Sequence, residues 1–202
     1  MAAAQRIQVV GLTGGVAAGK SEALAALERL GAATLSADAV VHDLLGTDSV
    51  RDALVERWGD DVAPRGAVDR ERVAGIVFRS PDELGWLERT LHPLVGERIV
   101  AWRDGLRDGT PLAVVEVPLL FETGMEGAFD ATIAVVAPDE VRAKRAVVRG
   151  TLELEGREQR QLPQAEKARR ATYVVTNDAG LDGLERELAR VIDELGAVGE
   201  RG

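Results

Sequence analysis

Residues 14–21 read Gly14-Gly15-Val16-Ala17-Ala18-Gly19-Lys20-Ser21, which is a complete G-x-x-x-x-G-K-[ST] motif. The motif follows an apolar run over residues 7–12 and precedes a segment with apolar residues at helical spacing. In this context the loop N–H groups point at nucleotide phosphates, Lys20 reaches the β/γ oxygens and Ser21 offers a hydroxyl to Mg²⁺. We therefore predict a P-loop that binds a nucleoside triphosphate; a glycine-rich turn that contains Lys-Ser by chance is the alternative.

Length and composition are typical of an ordinary globular protein. The chain has 202 residues, of which 46% are hydrophobic and 29% charged, and this length favours one domain. It contains no cysteine, which excludes disulfides, thiolate metal sites and cysteine nucleophiles. The apolar run over residues 112–121 is too short to span a bilayer, and residues 1–6 do not resemble a signal peptide. We therefore expect a cytoplasmic enzyme.

The net charge is −9, which argues against general affinity for nucleic acids or anionic membranes. Between Arg142 and Arg170, however, basic residues outnumber acidic ones. Arg142, Arg145 and Arg149 have the spacing of one helical face. A basic segment in an acidic protein suggests that the ligand is a small, highly charged anion, although a solvated helical face is an alternative.

A second apolar run, over residues 32–38, ends in Asp38. We interpret it as a strand with Asp38 at its carboxyl end, the edge at which ligands bind in open α/β sheets. Asp38 could instead cap a helix over residues 39–45. The two roles are compatible.

Residues 48–107 show helical patterns with no strand between them, which predicts a helical insertion between strands. Ser49 and Asp69 are the expected caps of two of its helices. Pro93 predicts a break between two further helices. His92 lies at this expected break and is either a structural or a functional histidine.

Three later apolar runs, over residues 112–117, 132–136 and 173–177, predict buried strands. Glu122 follows the first of them, just beyond the edge at which ligands bind. Residues 150–163 are polar and charged, which fits a mobile segment over a site. A closing amphipathic helix has the apolar stripe Leu181, Leu184, Leu188, Val191, Ile192 and Leu195.

Five strands that alternate with helices and begin with a P-loop predict an α/β fold: a doubly wound, parallel five-stranded sheet of P-loop NTPase type. A small regulatory GTPase would carry an Asn-Lys-x-Asp motif after a late strand, and this sequence has none. The layout is therefore that of a kinase.

Taken together, these motifs resemble those of the dephospho-coenzyme A kinase family, from about Val9 to the final helix. The P-loop alone is shared by many families, but its combination with the His-Pro and Pro-Leu-Leu-Phe-Glu motifs is specific. The matching stretches are Gly11-Leu12-Thr13-Gly14-Gly15, Gly19-Lys20-Ser21, Ala37-Asp38, Asp69-Arg70, Val77-Phe78, Leu91-His92-Pro93, Pro118-Leu119-Leu120-Phe121-Glu122, Gln161-Leu162-Pro163, Lys167-Ala168-Arg169-Arg170-Ala171 and Asn177.

The resemblance implies transfer of the ATP γ-phosphoryl group to the ribose 3′-hydroxyl of dephospho-coenzyme A, with Mg²⁺ bound through Ser21. It implies that Asp38 is the general base, assisted by Lys20 and Arg149. Nucleotide-binding residues would be Gly14, Gly15, Val16, Ala17, Ala18, Gly19, Lys20, Ser21, Arg145, Arg149 and Asn177. Acceptor-binding residues would be Asp38, His92, Leu120, Glu122 and Arg157.

The resemblance also implies how the chain is organised. Residues 1–202 would form a single kinase domain, residues 39–107 its acceptor-binding insertion and residues 150–163 its lid. We expect a monomer whose partner is the small-molecule acceptor, with neither nucleic acid nor membrane as a partner.

The sequence departs from the family pattern in three places. Ser36-Ala37-Asp38 stands where members often have Asp-Ala-Asp, and only the second carboxylate is retained. Ala17 and Ala18 replace the more usual glycine and serine; we expect little effect, because backbone N–H groups bind the phosphates. Residues 149–161 form a shorter stretch than in many relatives.

Two other functions are compatible with part of the pattern. A kinase for another small acceptor, such as a nucleoside or nucleotide, would share everything except the acceptor pocket. A non-catalytic P-loop protein would leave Asp38, Glu122 and the basic segment without a role. ADP formation with a panel of acceptors would separate these possibilities.

Overall fold

Five parallel strands form one sheet in the order β2-β3-β1-β4-β5. The computed structural model describes residues 7–107, 109–149, 161–178 and 180–199. The strands are β1 (Val9–Gly14), β2 (Ala33–Ser36), β3 (Ala113–Glu116), β4 (Ala131–Val136) and β5 (Tyr173–Thr176). The predicted α/β fold with a parallel five-stranded sheet is confirmed.

The described ranges contain eight α-helices. They are α1 (Lys20–Arg29), α2 (Ala37–Leu45), α3 (Asp48–Trp58), α4 (Arg70–Val77), α5 (Pro81–Asp104), α6 (Asp139–Arg149), α7 (Gln164–Arg170) and α8 (Gly180–Gly199). Short 3₁₀ turns lie at Asp60–Val62, Pro64–Gly66 and Met125–Ala128. Of the helices in these ranges, none has the length and apolar character needed to cross a membrane.

The chain divides into two compact units. Met1–Ser36 and Gly105–Gly202 form the sheet unit, whereas Ala37–Asp104 forms the helical unit. The bounds of the helical unit are close to residues 39–107, the predicted insertion. In the sheet unit, every residue of β1 is buried because β3 and β4 flank it and helices cover both faces.

Helix α1 packs closely on the sheet because its inner face is small. Ala23 and Ala26 have no exposed surface, and Leu27 beside them is also fully buried. The helix is followed by Gly31 at φ 91°, a left-handed conformation that glycine adopts without steric cost. The predicted helix after the P-loop and its terminating glycine are therefore confirmed.

Helix caps in the helical unit are partly as predicted. The Asp69 carboxylate accepts hydrogen bonds from the backbone N–H groups of Glu71 and Arg72, at 3.1 and 3.2 Å, so this cap is confirmed. The prediction for Ser49 is wrong, because α3 begins at Asp48, two residues earlier than expected, with Thr47 as its N-cap. The capping alternative for Asp38 is also wrong, because α2 begins at Ala37 and Asp38 lies inside its first turn.

The predicted helix break at Pro93 is wrong, and α5 runs through it as one helix of 24 residues. Proline in a helix interior removes one hydrogen bond and costs about 3 kcal/mol. Leu91, Val95 and Ile99 are buried along one face of the helix. Burial stabilises each such side chain by about 1.5–3 kcal/mol, which is enough to offset the cost of the proline.

A cluster of aromatic and charged side chains connects α3 to α5. The rings of Trp58 and Trp86 meet edge to face with centroids 5.1 Å apart. The Trp58 indole and the Arg57 guanidinium both donate hydrogen bonds to the Glu83 carboxylate. These donors, Arg57 first, lower the pKa of Glu83. The two helices are therefore held by polar as well as apolar contacts.

Candidate active site

The P-loop connects the end of β1 to the start of α1. Gly19 is the N-cap of α1 at φ 98°, and no side chain caps this helix end. The first N–H groups of α1 are therefore left to bind an anion. A Cβ atom at Gly19 would overlap the Asn177 side chain, and one at Gly14 would overlap the carbonyl of Val135. Both motif glycines are thus required by close packing.

The carbonyl oxygens of the P-loop are bound by side chains of the protein. Arg142 Nε donates to the Val16 carbonyl at 3.0 Å, and Arg145 donates to the Ala18 carbonyl at 3.4 Å. Lys20 Nζ donates to the carbonyls of Gly14 and Gly15 at 3.2 and 3.3 Å. Because the carbonyls are engaged in this way, the opposite side of the loop can present its N–H groups to phosphate.

Arg142 and Arg145 confirm that the basic face of α6 points at the P-loop. For these two arginines the alternative of a solvated helical face is wrong. Arg149 is the last residue of α6, and its side chain lies outside the described part of the structure. Arg157 also lies outside the described residues, as does most of the predicted lid, whose residues 161–163 alone are described. The roles implied for Arg149 and Arg157 stay predictions.

Asn177 follows β5 and fastens this strand to the P-loop. Its side chain donates to the Ala18 carbonyl at 3.1 Å and accepts from Arg145 at 3.2 Å, while the residue is only 1% exposed. Its Nδ2 also lies 3.3 Å from a carboxylate oxygen of Glu22. The structure therefore gives Asn177 a supporting role that the sequence did not suggest, and its contact with adenine stays a prediction.

Ser21 and Glu116 are the groups best suited to a metal ion. Ser21 is exposed in the first turn of α1, whereas Glu116 ends β3, the strand beside β1. P-loop NTPases bind Mg²⁺ through the loop Ser/Thr and a strand-end carboxylate. The sequence analysis missed Glu116, although a buried strand that ends in a carboxylate was a usable signal. Within the described ranges, no group of three or more His, Cys, Asp or Glu side chains could hold a metal.

Asp38 is the second residue of α2, two positions after the end of β2. Its side chain is exposed, and within the described part of the chain no ion pair or hydrogen bond engages it. It therefore differs from Glu116 and Glu122, which accept hydrogen bonds from other protein groups. Such a carboxylate is available to a ligand hydroxyl.

The other predicted acceptor-binding residues have distinct environments. His92 is half-buried in the middle of α5. Leu120 has no exposed surface and packs close to Gly11 of β1. The Leu120 side chain therefore belongs to the core, where Gly11 leaves room for it, and its contact with the acceptor stays a prediction.

Glu122 belongs to a buried cluster that also contains Lys167, Thr13 and Pro118, called here the Lys167 cluster. Glu122 Oε1 lies 2.9 Å from Lys167 Nζ and accepts a hydrogen bond of 2.7 Å from the Leu162 N–H. Its Oε2 is buried without a hydrogen-bond partner among the described residues. One oxygen of Glu122 is therefore fixed by the protein, and the other still requires a donor.

Comparison with known proteins supplies the family of the chain. The family model for dephospho-CoA kinase matches residues 8–183. The chain belongs to the dephospho-CoA kinase family. It is 37% identical to the dephospho-CoA kinase of Thermus thermophilus over 199 residues, which cover 96% of each chain. It is 36% identical to that of Chlorobaculum tepidum, with 93% and 94% of the two chains covered.

Solved structures agree with this membership of the dephospho-CoA kinase family. A crystal structure of a Thermus thermophilus protein superposes with a TM-score of 0.80 at 35% identity, covering 94% of this chain and 98% of that one. Dephospho-CoA kinase from Campylobacter jejuni gives a TM-score of 0.68 at 25% identity, with 94% and 97% covered. A shikimate kinase from Bacteroides thetaiotaomicron shares only the fold, at 15% identity and a TM-score of 0.51 with 93% and 98% covered.

The structure explains one departure from the dephospho-CoA kinase pattern. Ser36, where members often have Asp, donates a hydrogen bond of 3.1 Å to Glu116 Oε2 on the neighbouring strand. An aspartate at this position would place a second carboxylate beside Glu116, and the two charges would repel each other. The serine hydroxyl instead donates a hydrogen bond and adds no charge beside Glu116.

A second departure is less neutral than expected. Ala17, where glycine is more usual in dephospho-CoA kinases, has φ 58°. This left-handed conformation costs a residue with a Cβ atom about 1–2 kcal/mol. Ala17 therefore carries backbone strain that glycine would avoid, and its small effect on phosphate binding stays a prediction.

Proposed function

We propose that this chain transfers the γ-phosphoryl group of ATP to the ribose 3′-hydroxyl of dephospho-coenzyme A, yielding coenzyme A and ADP. The observation that carries the proposal is the P-loop of a dephospho-CoA kinase family member, whose carbonyls are engaged by Arg142, Arg145 and Lys20. The N-terminus of α1, which no side chain caps, is left for the phosphates. The acceptor is proposed from the family, since a P-loop alone does not specify it.

Phosphoryl transfer requires positive charge and accurate positioning around the moving group. Lys20 supplies charge at the β/γ oxygens, and the uncapped N-terminus of α1 adds the partial charge of its dipole. Arg149 and Arg157 are proposed to add further charge. Asn177 supports the loop that holds the nucleotide.

Asp38 is proposed as the base that orients the acceptor hydroxyl and takes its proton. Its exposed carboxylate, which no described residue engages, supports this role. Glu122 Oε2 is proposed to accept a hydrogen bond from an acceptor hydroxyl, because this buried oxygen has no donor among the described residues. His92 is proposed to lie in the acceptor site of the helical unit.

Mg²⁺ is proposed to accompany ATP, held by the hydroxyl of Ser21 and the carboxylate of Glu116. An exposed hydroxyl and an oriented carboxylate suit this ion, which keeps several waters and needs few protein ligands. When bound, it neutralises phosphate oxygens. We further propose that the enzyme acts in the cytoplasm as a monomer.

The direct test is to incubate the chain with ATP, Mg²⁺ and dephospho-coenzyme A and to locate the new phosphate by mass spectrometry and NMR. Phosphate on the ribose 3′ oxygen is the expected product. Rapid phosphorylation of a nucleoside monophosphate, with no reaction of dephospho-coenzyme A, would contradict this proposal and indicate a kinase for a different small acceptor.

The role of Asp38 is tested separately by Asp38→Asn. The substitution keeps the size of the side chain but removes the proton acceptor, so kcat should fall by about 10²–10⁴-fold. ATP binding should be unchanged, because the P-loop makes those contacts. Single-turnover kinetics and calorimetric titration with an ATP analogue measure the two quantities. A normal single-turnover rate would remove Asp38 from the mechanism.

A further inference from the structure

Lys167 carries a buried charge to which the proposed reaction assigns no role. Its side chain has no exposed surface. Nζ donates to the Pro118 carbonyl at 2.6 Å and to Thr13 Oγ1 at 3.4 Å, and it pairs with Glu122 Oε1 at 2.9 Å. An ammonium group has three hydrogens, so these three acceptors use its full donor capacity.

Holding this charge inside the protein is costly. Burial lowers the pKa of Lys167, and the hydrogen bond and charge of Glu122 only oppose this shift. Apolar side chains of similar volume often replace a buried ion pair without loss of stability. Stability alone therefore does not explain a buried lysine at this position. The positions of its three acceptors suggest a different role.

The three acceptors belong to segments that surround the P-loop. Thr13 directly precedes Gly14, and its hydroxyl also donates to the Pro118 carbonyl at 3.2 Å. Pro118 and Glu122 lie in the segment after β3. Glu122 in turn accepts from the N–H group of Leu162. One ammonium group therefore connects β1, the segment after β3 and the chain that leads into α7.

Helix α7, which carries Lys167, is itself fixed to the P-loop side of the sheet. Gln164 exchanges hydrogen bonds with the backbone of Ala137, just after β4, at 3.2 and 2.9 Å. Gln164 also packs against Gly15: a Cβ atom added at Gly15 would lie 3.3 Å from the Cβ of Gln164. Lys167 thus extends from a helix whose position is already set by the nucleotide loop.

We propose that Lys167 is a positioning residue for phosphoryl transfer, which acts through Pro118 and Glu122 to hold the segment after β3 in a fixed position relative to the P-loop. The proposal rests on the proposed function, in which Glu122 meets the acceptor while the P-loop holds ATP. Lys167 itself touches neither substrate. Its loss should lower kcat and weaken use of the acceptor, while ATP binding stays intact.

The test compares Lys167→Met with the double variant K167M/E122Q. The double variant removes both charges, so no unpaired carboxylate is left buried to oppose folding. Arg169→Met is the matched control, because Arg169 lies on the same helix with its side chain 76% exposed. Measurements are kcat, KM for dephospho-coenzyme A, Kd for an ATP analogue by calorimetry and the thermal midpoint by circular dichroism.

We expect kcat to fall about 10–100-fold in both Lys167 variants, the usual effect of a small misplacement of reacting groups. The Kd for the ATP analogue should equal that of the wild type, and R169M should match the wild type throughout. A folded K167M/E122Q with wild-type kcat would overturn the proposal, since Lys167 would then only neutralise Glu122. Equal losses of kcat and nucleotide affinity would also overturn it, because they indicate general damage to the P-loop.

If neither methionine variant folds, Lys167→Arg tests the positioning role instead. It keeps the charge but replaces a tetrahedral ammonium with a planar fork, which cannot reach the three acceptors in the same way. A lowered kcat with unchanged ATP binding supports positioning, whereas wild-type kinetics overturn it. A wild-type chain that does not phosphorylate dephospho-coenzyme A would instead contradict the proposed function, so the two failures are distinguishable.

Discussion

Two regions of the sheet unit each hold a lysine ammonium against backbone carbonyls, and they hold it differently. In the P-loop, Lys20 is half-buried and its hydrogen bonds to carbonyls measure 3.2 and 3.3 Å. In the Lys167 cluster, Lys167 is completely buried, with a carbonyl at 2.6 Å and a carboxylate at 2.9 Å. Phosphate oxygens can replace the long contacts of Lys20, because charge-assisted bonds to an anion are stronger. The short contacts of Lys167 leave no place for a ligand.

A lysine that is accessible, as Lys20 is, can contact a substrate. A lysine that is buried beside a carboxylate, as Lys167 is, supports the fold instead. Lys20 follows a helix N-cap that has no side-chain partner, where an anion is favoured. Lys167 is neutralised by Glu122 within the protein. Substitution of Lys20 should therefore lower kcat with little effect on stability, whereas substitution of Lys167 should lower both.

The largest effect is expected for Lys20→Ala. The charge of Lys20 is used on the transferring phosphoryl group, so kcat should fall by at least about 10²–10³-fold. The free energy of unfolding should change less than kcat, because the hydrogen bonds of Lys20 to the Gly14 and Gly15 carbonyls are long, at 3.2 and 3.3 Å. Coupled ADP detection and urea unfolding measure the two quantities. Normal turnover of Lys20→Ala would show that the charge of Lys20 is not used in catalysis, and the proposed contrast with Lys167 would fail.

Lys167→Met should show the opposite pattern in stability. It leaves the Glu122 carboxylate buried without its cation, and breaking such a pair costs about 3–5 kcal/mol. K167M/E122Q should recover most of this loss, because no buried charge remains. Urea unfolding curves of the single and double variants give the difference. If K167M were as stable as the wild type, the ion pair would make no contribution to the free energy of unfolding.

The pH dependence of stability sharpens the comparison further. Burial lowers the folded-state pKa of Lys167 below its ordinary value of 10.5. Between these two pKa values the unfolded chain binds more protons, so the free energy of unfolding should rise with pH through this window. K167M/E122Q should lack this rise, because it has no such ammonium. Denaturant titrations at a series of alkaline pH values test this, and parallel curves for the two proteins would contradict it.

The smallest effect is expected for Ala17→Gly. Removing the Cβ atom relieves a left-handed strain of about 1–2 kcal/mol. The greater freedom of glycine in the unfolded chain takes back about 0.4–1 kcal/mol. The net stabilisation should therefore lie between about 0 and 1.6 kcal/mol, with normal ATP binding. Differential scanning calorimetry resolves the sign, and a marked loss of stability would mean that the loop needs the methyl group.

The strands and the P-loop could be predicted because their signals are local. The G-x-x-x-x-G-K-[ST] pattern and the apolar runs each lie within a few neighbouring residues. The break at Pro93 was mispredicted because burial of Leu91, Val95 and Ile99 outweighs the local preference of proline. Local propensity does not report such tertiary packing.

The supporting contacts of the site could not be predicted, because they join distant positions. Lys167 and Thr13 are 154 residues apart in sequence, and Arg142 and Val16 are 126 apart. In the sequence, Lys167 is one of several basic residues in a polar stretch. Only the fold shows that it is buried, whereas Arg169 two positions later is exposed.

The contacts of Asn177 with the P-loop have a consequence for the order in which the chain is made. The Ala18 carbonyl accepts its hydrogen bond from a residue 159 positions later, so the nucleotide loop leaves the ribosome well before its partner does. The strand β1 also cannot pair until later, because its neighbours β3 and β4 begin beyond residue 112. Such non-local assembly is slow, because long loops must close before their contacts form. A nascent chain that ends before β5 should therefore carry the whole nucleotide motif and still bind nucleotide poorly.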